Sequence, residues 1–419
     1  MKIVIVGCGL IGVTTAYSLR QRGHDVTVLE RAEGPAREAS FANGGMLTAG
    51  MCQPWNGPGS WRILLRSLVR SDTALQLRLS VLPRLMRWGT CFLRNSTAAA
   101  FERNCRSNLR LALHSLEAMH ALREQAQVEF GRAARGSLGV FRDREAWRSA
   151  CRETVQLFSD GLVARRLTVA ELVELEPALR PIAHKLSGAI HYLSDEVGDA
   201  QRFCEALAKV ARALGVDFRF GSNVRGLEMH RGRVAAVITE NERFVADRYV
   251  IAAGAYSTAL LKDAGIRLPV QPAKGYSVTF KEANSIVGLR RPMIDHDLHA
   301  VLVPFEDGSV RTAGTAEFAG FDSSLKPARV RNLLALTREL LPEAQLNEGS
   351  AIPWCGLRPS SPDGVAIIGA TPVENLWVNS GHGHLGWTLA AGSARLFTSL
   401  LSGDAPDIDP NPYSLKRFS

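Results

Sequence analysis

The first thirty residues constrain the fold more than any other stretch. Residues 3–6 (Ile-Val-Ile-Val) form a short apolar run that leads into Gly7-Cys8-Gly9-Leu10-Ile11-Gly12. A helical stretch follows, then a second apolar run, Val26-Thr27-Val28-Leu29, closed by Glu30. The order strand, glycine turn, helix, strand, acid is what holds the diphosphate of a dinucleotide. Gly7 permits the tight turn, Gly9 lets backbone approach the pyrophosphate, and Gly12 lets the helix pack on the strand. Leu10 and Ile11 open that helix, whose free N–H groups and positive dipole end suit an anion. Glu30 is placed to accept from an adenosine ribose, and Arg31 beside it is assigned to the same cofactor. An acid at position 30 argues against a 2′-phosphate and so against NADP. The motif alone leaves FAD and NAD open.

A chain of 419 residues is long for one core and suggests two domains. The 7 cysteines are scattered with no CxxC pair, which fits reduced thiols in a cytoplasmic compartment, and no metal-type cluster is present. The N-terminal apolar run reads as the nucleotide-binding strand and not as a secretory leader, since no small-residue cleavage pattern follows. No stretch reads as a transmembrane helix; residues 375–394 lack charge but are rich in Gly, Ser, His and Asn.

The net charge of +9 is partly local. Residues 61–95 carry Arg62, Arg66, Arg70, Arg78, Arg84, Arg87 and Arg94 against the single acid Asp72, interleaved with Trp61, Leu64, Leu65, Leu68, Leu82, Leu85, Trp88 and Phe92. Two readings stay open. The segment packs its leucines inward with arginines solvated, or it lies peripherally on an anionic inner membrane. Nucleic acid is not expected as a partner, since no recognition motif accompanies the charge.

Along the chain, residues 55–130 read as mostly helical, 186–192 as a strand, and 200–214 as an amphipathic helix stopped by Gly215. Strands are expected at 216–220, 233–239, 244–252, 275–280, 299–305, 310–315, 365–368 and 376–379. Helices are expected near 327–341 and from Leu385 onward. The expected architecture is α/β: a discontinuous Rossmann-like nucleotide-binding domain (1–50, 195–265 and 351–419) with a second α+β substrate domain (51–194 and 266–350) on a mostly antiparallel sheet.

Three further segments favour FAD. Ala39 to Met46 brings Ser40, Asn43, Gly44 and Gly45 to the pyrophosphate and flavin. Ile251 to Ser257 offers backbone at Ala253 and Gly254. Ser380 to Thr388 is a glycine-rich turn running into a helix, whose positive end suits the electron-rich pyrimidine of a reduced flavin.

With these segments in view the chain resembles the D-amino-acid oxidase-type flavoproteins, and within them the bacterial D-amino acid dehydrogenase small subunit. The resemblance runs nearly end to end, through GCGLIGV at 7–13, ANGG at 42–45, QPWNGPG at 53–59, LEPAL at 175–179, HKLSGAI at 184–190, KGYS at 274–277, GLRPSSPDG at 356–364 and LWVNSGHGHLGW at 376–387. It departs at His384, where a threonine is expected.

The resemblance implies non-covalent FAD, and adds Val224, Gly381, Gly383, His384, Leu385, Gly386 and Thr388 to the cofactor contacts. It also implies that Arg358 clamps a substrate carboxylate, for which a guanidinium's parallel donors are suited. The competing reading pairs Arg358 with Asp363 at the surface. Tyr276 is a second candidate, as a hydroxyl donor or pocket wall. Met46 and Leu47 are expected beside the flavin ring, and His382 on the flavin loop contacts cofactor or substrate. Cys355 is read as a plain buried thiol, not a flavin attachment point.

No general base is assigned. The implied reaction moves a hydride from Cα of a D-amino acid to flavin, giving an imino acid, then a 2-oxo acid and ammonia, with electrons passed to a quinone or respiratory acceptor. A dehydrogenase of a cyclic D-imino acid such as cis-4-hydroxy-D-proline, or a glycine or sarcosine oxidase-like enzyme, stays open as an alternative.

Overall fold

The computed structural model describes residues 1–60, 75–281, 283 and 287–419. Much of the arginine-rich stretch, from Trp61 to Asp72, lies outside the described residues.

The opening motif folds as its pattern requires. Strand Lys2–Val6 enters the glycine turn, helix Leu10–Gln21 follows, and strand Asp25–Leu29 pairs with the first strand in parallel. These strands sit inside a six-stranded sheet ordered Ile367–Ala370, Leu376–Ser380, Arg248–Ile251, Lys2–Val6, Asp25–Leu29, Asp217–Arg219. All its pairings are parallel except that of Ile367–Ala370 with Leu376–Ser380. A central parallel strand is covered on both faces, which explains its unbroken apolar run. Ile3 and Ile5 enter one core with Val13, Leu19, Leu389 and Phe397; Val4 and Val6 enter another with Leu29, Tyr249 and Leu261.

The second sheet has nine strands. Its main path runs Ile352–Ser360, Gln271–Phe280, Val310–Phe318, Ala300–Pro304, Met293–Asp295, Ser137–Phe141, Gly188–Tyr192, Ala164–Leu167, with Leu75–Leu77 pairing alongside Val310–Phe318. Apart from that pairing and the one between Met293–Asp295 and Ser137–Phe141, the strands are antiparallel.

Three elements depart from the expectation. The strand expected over 244–252 is two: Arg243–Phe244 joins a separate three-stranded sheet, and Arg248–Ile251 joins the parallel one. Asp247 makes the step between them, its N–H donating to the Lys2 carbonyl at 3.0 Å. Strand Ile352–Ser360 falls in the stretch expected to bind nucleotide, yet it pairs with Gln271–Phe280 in the second sheet. The long helix Ala98–Ala126 falls in the stretch expected to form the substrate domain, yet Leu109, Leu116 and Met119 share the nucleotide-side core with Leu389 and Phe397.

Helix Leu82–Arg94 turns Leu85, Trp88 and Phe92 inward against Ala273 and Phe318 of the second sheet. Its Trp88 indole N–H donates to the Ser360 carbonyl at 3.1 Å. Each of the 7 cysteines is a free thiol. Among the described residues, no helix is long and apolar enough to cross a membrane.

Candidate active site

One cavity of about 950 Å³ runs from the glycine turn, past the 39–46 segment, to the second sheet. The three motif glycines build its nucleotide end differently. Gly7 has φ +107°, and a Cβ there would lie 2.6 Å from the Ala252 carbonyl oxygen. A Cβ on Gly12 would lie 1.9 Å from the Gly7 carbonyl oxygen, so Gly12 seats the helix and does not line the cavity. Gly9 faces the space; the nearest atom to a Cβ there is Ser40 Oγ at 3.3 Å.

Helix Leu10–Gln21 has no side-chain cap from Gly9 and no acid in its first turn. Its Leu10 N–H donates to Ser40 Oγ at 3.2 Å. Glu30 braces the turn, one carboxylate oxygen accepting from Cys8 N–H at 2.8 Å and the other from Ala32 N–H at 2.9 Å, and it still lines the cavity. Arg31 pairs with Glu38 and lies 3.9 Å over the Tyr256 ring. Val224, Ala253 and Gly254 complete this end.

At the other end Asn43, Gly44, Gly45 and Met46 face the loop at His382 to Thr388, all lining the cavity. Asn43 holds its own turn by accepting from Gly45 N–H at 2.9 Å. Gly383 has φ +55° and starts the turn into helix Gly386–Ser402, whose leading end has no side-chain cap. Thr388 Oγ1 accepts from Thr48 N–H at 3.0 Å, fixing that end to the chain after Met46. His382 shares a hydrogen bond of 2.9 Å with Ser393 through Nε2, and its buried Nδ1 has no partner. Two helix ends with no cap from their N-cap residues, a glycine-rich cavity of this volume and an orphaned buried imidazole nitrogen fit an FAD laid between them.

The cavity closes on Arg358. Its guanidinium occupies the space where Gly275 lacks a side chain, since a Cβ there would lie 2.1 Å from Arg358 Nη1. It donates to the Thr315 carbonyl at 3.3 Å and lies 5.7 Å from the Trp55 ring. Among the described residues no carboxylate pairs with it, and burial pulls its pKa down to about 10. Asp363 is instead held by Arg417 at 2.6 Å. A half-buried cation with no carboxylate among the described residues is poised for an anion from outside the chain.

Five residues differ, wholly or in part, from the sequence expectation. Leu47 is fully buried in the nucleotide-side core and does not line the cavity, because neighbouring strand residues face opposite sides and Met46 takes the cavity side. Tyr276 lines the cavity, but its hydroxyl donates to Glu317 at 2.7 Å. Gly381, with φ +79°, and Gly12 shape the turns without lining the cavity. Cys355 is half-buried and donates to the Ser323 carbonyl at 3.0 Å; it does not line the cavity either. Residues not singled out from sequence also line this end, among them Gly275, Thr315 and Trp55.

The comparisons agree with this geometry. Residues 2–400 match the family described as FAD dependent oxidoreductase. The chain belongs to that family. It is an FAD-dependent oxidoreductase, and FAD is its cofactor. It is 39% identical over 420 residues to a D-amino acid dehydrogenase of Paramagnetospirillum magneticum, covering 100% of this chain and 99% of that one. A D-amino acid dehydrogenase of Rhizobium johnstonii is 37% identical over 418 residues, with 100% of both covered. Among solved structures, glycine oxidase from Geobacillus kaustophilus superposes with a TM-score of 0.78 at 24% identity, covering 99% of this chain and 98% of that one. L-proline dehydrogenase from P. horikoshii gives 0.77 at 19%, with 100% and 97% covered. At these identities the two structures show the shared fold.

The imidazoles of the oxidoreductase give it an acid-sensitive fold. Burial holds His296 and His384 down to about 4 and His382 to about 3, against an ordinary value of 6.5. The unfolded chain takes these protons near pH 6.5 and the folded chain does not, so the stability is fully present above 6.5 and is lost as pH falls toward 4. Asp195, raised to about 6 by burial, acts oppositely, since its buried charge is relieved below that pH. Three imidazoles outweigh one carboxyl, each contributing on the order of 1 kcal/mol or more by pH 5. Urea midpoints measured at pH 7.5 and pH 5 are expected to be lower at pH 5; a higher midpoint at pH 5 contradicts the burial of these rings.

Proposed function

We propose that the chain oxidises D-amino acids to imino acids, which hydrolyse to 2-oxo acids and ammonia, and passes the electrons to a quinone or similar respiratory acceptor. The observation that carries this reading is the half-buried Arg358, unpaired with any described carboxylate, in the cavity that the glycine turn also lines. The choice of D-isomers is supported by the two curated relatives aligned over the full chain.

Arg358 takes the substrate carboxylate through its parallel N–H donors, and the Thr315 carbonyl keeps the guanidinium in place. The amino group must be neutral for the α-hydrogen to leave with its electron pair. The Arg358 cation favours that state, because a nearby like charge disfavours an ammonium. Met46, Trp55 and Phe318 line the cavity with apolar surface. FAD, when bound, accepts the hydride. The protein's part is orientation and charge.

With D-alanine and a short-chain ubiquinone, the enzyme is expected to form pyruvate and ammonia one-to-one, with no product from L-alanine. Stoichiometric hydrogen peroxide in the absence of quinone would move the reading to an oxidase.

A membrane-borne acceptor also gives the arginine segment a use. Arg78 does not belong to it, being paired with Glu317 and Asp322. On helix Leu82–Arg94 the outer side carries exposed Arg84, Arg87 and Arg94 with Met86 (71% exposed) and Leu93 (45%), and Leu79 (66%) precedes it. Positions 86 and 93 are seven apart and share one helix face. This supports a surface that rests on anionic lipid. The protein is expected to float with vesicles containing phosphatidylglycerol and not with pure phosphatidylcholine. The pair Arg84→Glu and Arg87→Glu weakens binding by about 10-fold or more, at about 1 kcal/mol per basic residue. Equal flotation of this variant contradicts the assignment.

A further inference from the structure

We infer that Trp55, stacked on His384, is the specificity-determining wall of the substrate end, and that it selects D-amino acids with flat or branched apolar side chains over acidic and cationic ones. This deepens the reading above and rests on it.

Once Arg358 holds the α-carboxylate, the substrate side chain must lie against what surrounds the guanidinium. On one side is Trp55, whose ring centre is 5.7 Å from the guanidinium carbon. The indole lies nearly parallel to the His384 ring, 5.2 Å away at 11°. His384 is fixed by a hydrogen bond to the backbone of Met51, and burial together with the Arg358 charge keeps it neutral at physiological pH. The pair is thus an uncharged aromatic slab. Trp55 is 37% exposed, so it stands at the outer edge of the site and not in a core.

Other lining residues near the Arg358 strand are also apolar. Phe92 and Phe318 line the cavity and belong to one cluster with Ala273, the residue directly cross-strand from Arg358; Leu75 lines it beside them.

Among the described residues, the charges that line the rest of the cavity are committed elsewhere. Glu30 braces the glycine turn, Arg31 pairs with Glu38, Arg225 pairs with Glu240, and Asp263 accepts from Leu227 N–H at 3.1 Å. Asp295 is fully buried and held by Arg142 at 2.8 Å. A second carboxylate on the substrate would therefore lose its water and find Arg358 already taken. An ammonium would meet that same cation with no acid to offset it. Both are costly to bury unpaired. An aromatic or branched side chain loses nothing and gains the indole face.

The holoenzyme is assayed with D-phenylalanine, D-leucine, D-alanine, D-glutamate and D-lysine, using the same quinone. D-phenylalanine and D-leucine are expected to exceed D-glutamate and D-lysine in kcat/KM by about 100-fold or more. Trp55→Ala lowers the D-phenylalanine to D-alanine ratio by about 10-fold, and Trp55→Phe restores most of it. A readout free of turnover is the flavin spectral shift on binding carboxylates: Trp55→Ala weakens phenylacetate more than acetate. If D-glutamate or D-lysine equals D-phenylalanine, or if both ratios are unchanged in Trp55→Ala, the wall is overturned while the D-amino acid reading stands. If no D-amino acid is oxidised, both fall together.

Discussion

Replacing Arg358 with leucine is expected to lower kcat/KM for D-amino acids by about 10³-fold while leaving the purified protein yellow. The size follows from the chemistry of the pair. A planar guanidinium meets a carboxylate through two charge-assisted hydrogen bonds in a site away from bulk water, and truncating one member of such a pair costs about 2–5 kcal/mol. The fold is expected to survive, because no described carboxylate is left behind unpaired and the protein bond lost is one donation to the Thr315 carbonyl. Lysine at 358 keeps charge but not the fork, so Arg358→Lys recovers only part of the activity. The check is steady-state kinetics beside the flavin-to-protein absorbance ratio. Unchanged KM and kcat in Arg358→Leu would falsify the clamp; loss of flavin would instead assign Arg358 to the cofactor site.

Gly9→Val is expected to give a folded but colourless protein, with FAD affinity weakened by about 100-fold or more, since bulk here meets the protein only at the Ser40 hydroxyl and otherwise enters the cavity. The nearest atom to a Cβ at Gly9 is Ser40 Oγ at 3.3 Å, whereas a Cβ at Gly12 would come within 1.9 Å of the Gly7 carbonyl oxygen. Gly12→Ala should therefore fail at folding, before cofactor enters. Circular dichroism with flavin titration separates the two. A Gly9→Val protein that takes up FAD as the parent does contradicts the placement of the pyrophosphate against this turn.

How much was legible in advance depended on whether the signal was local. The glycine turn was, because strand, turn, helix and strand are contiguous and each residue's duty follows from backbone sterics. The His382 loop was legible for the same reason: glycines set its turn, and an uncapped helix follows directly. Arg358 was legible as a residue type, but its lack of a carboxylate partner depends on Asp363 being taken by Arg417, 54 residues away.

What stayed hidden was set by register. Tyr276 and Glu317 meet only because their strands align, with a register shift between Gly275 and Tyr276 opposite Thr315, a residue at φ +55° that has no local sequence mark. For the two-residue strand Met46–Leu47 the sequence holds no information about which side chain faces the cavity. In Leu82–Arg94 the inward set Leu85, Trp88 and Phe92 has plain helical spacing, yet Met86 and Leu93, equally apolar, face out. Residues 352–360 fall in the stretch expected to bind nucleotide; the antiparallel pairing of strand Ile352–Ser360 with Gln271–Phe280 is a long-range choice that brings Arg358 to the cavity.

The proposed activity needs glycine-lined backbone from both ends of the chain to hold a flavin beside Arg358, which pairs with no carboxylate among the described residues, so that the two together oxidise D-amino acids. Anaerobic addition of D- or L-alanine and D- or L-leucine to the holoenzyme, followed at the visible flavin band, tests it without any choice of electron acceptor. The D-isomers are expected to bleach the flavin and the L-isomers to leave it oxidised. Bleaching by the L-isomers alone, or by none of the four, would contradict the account.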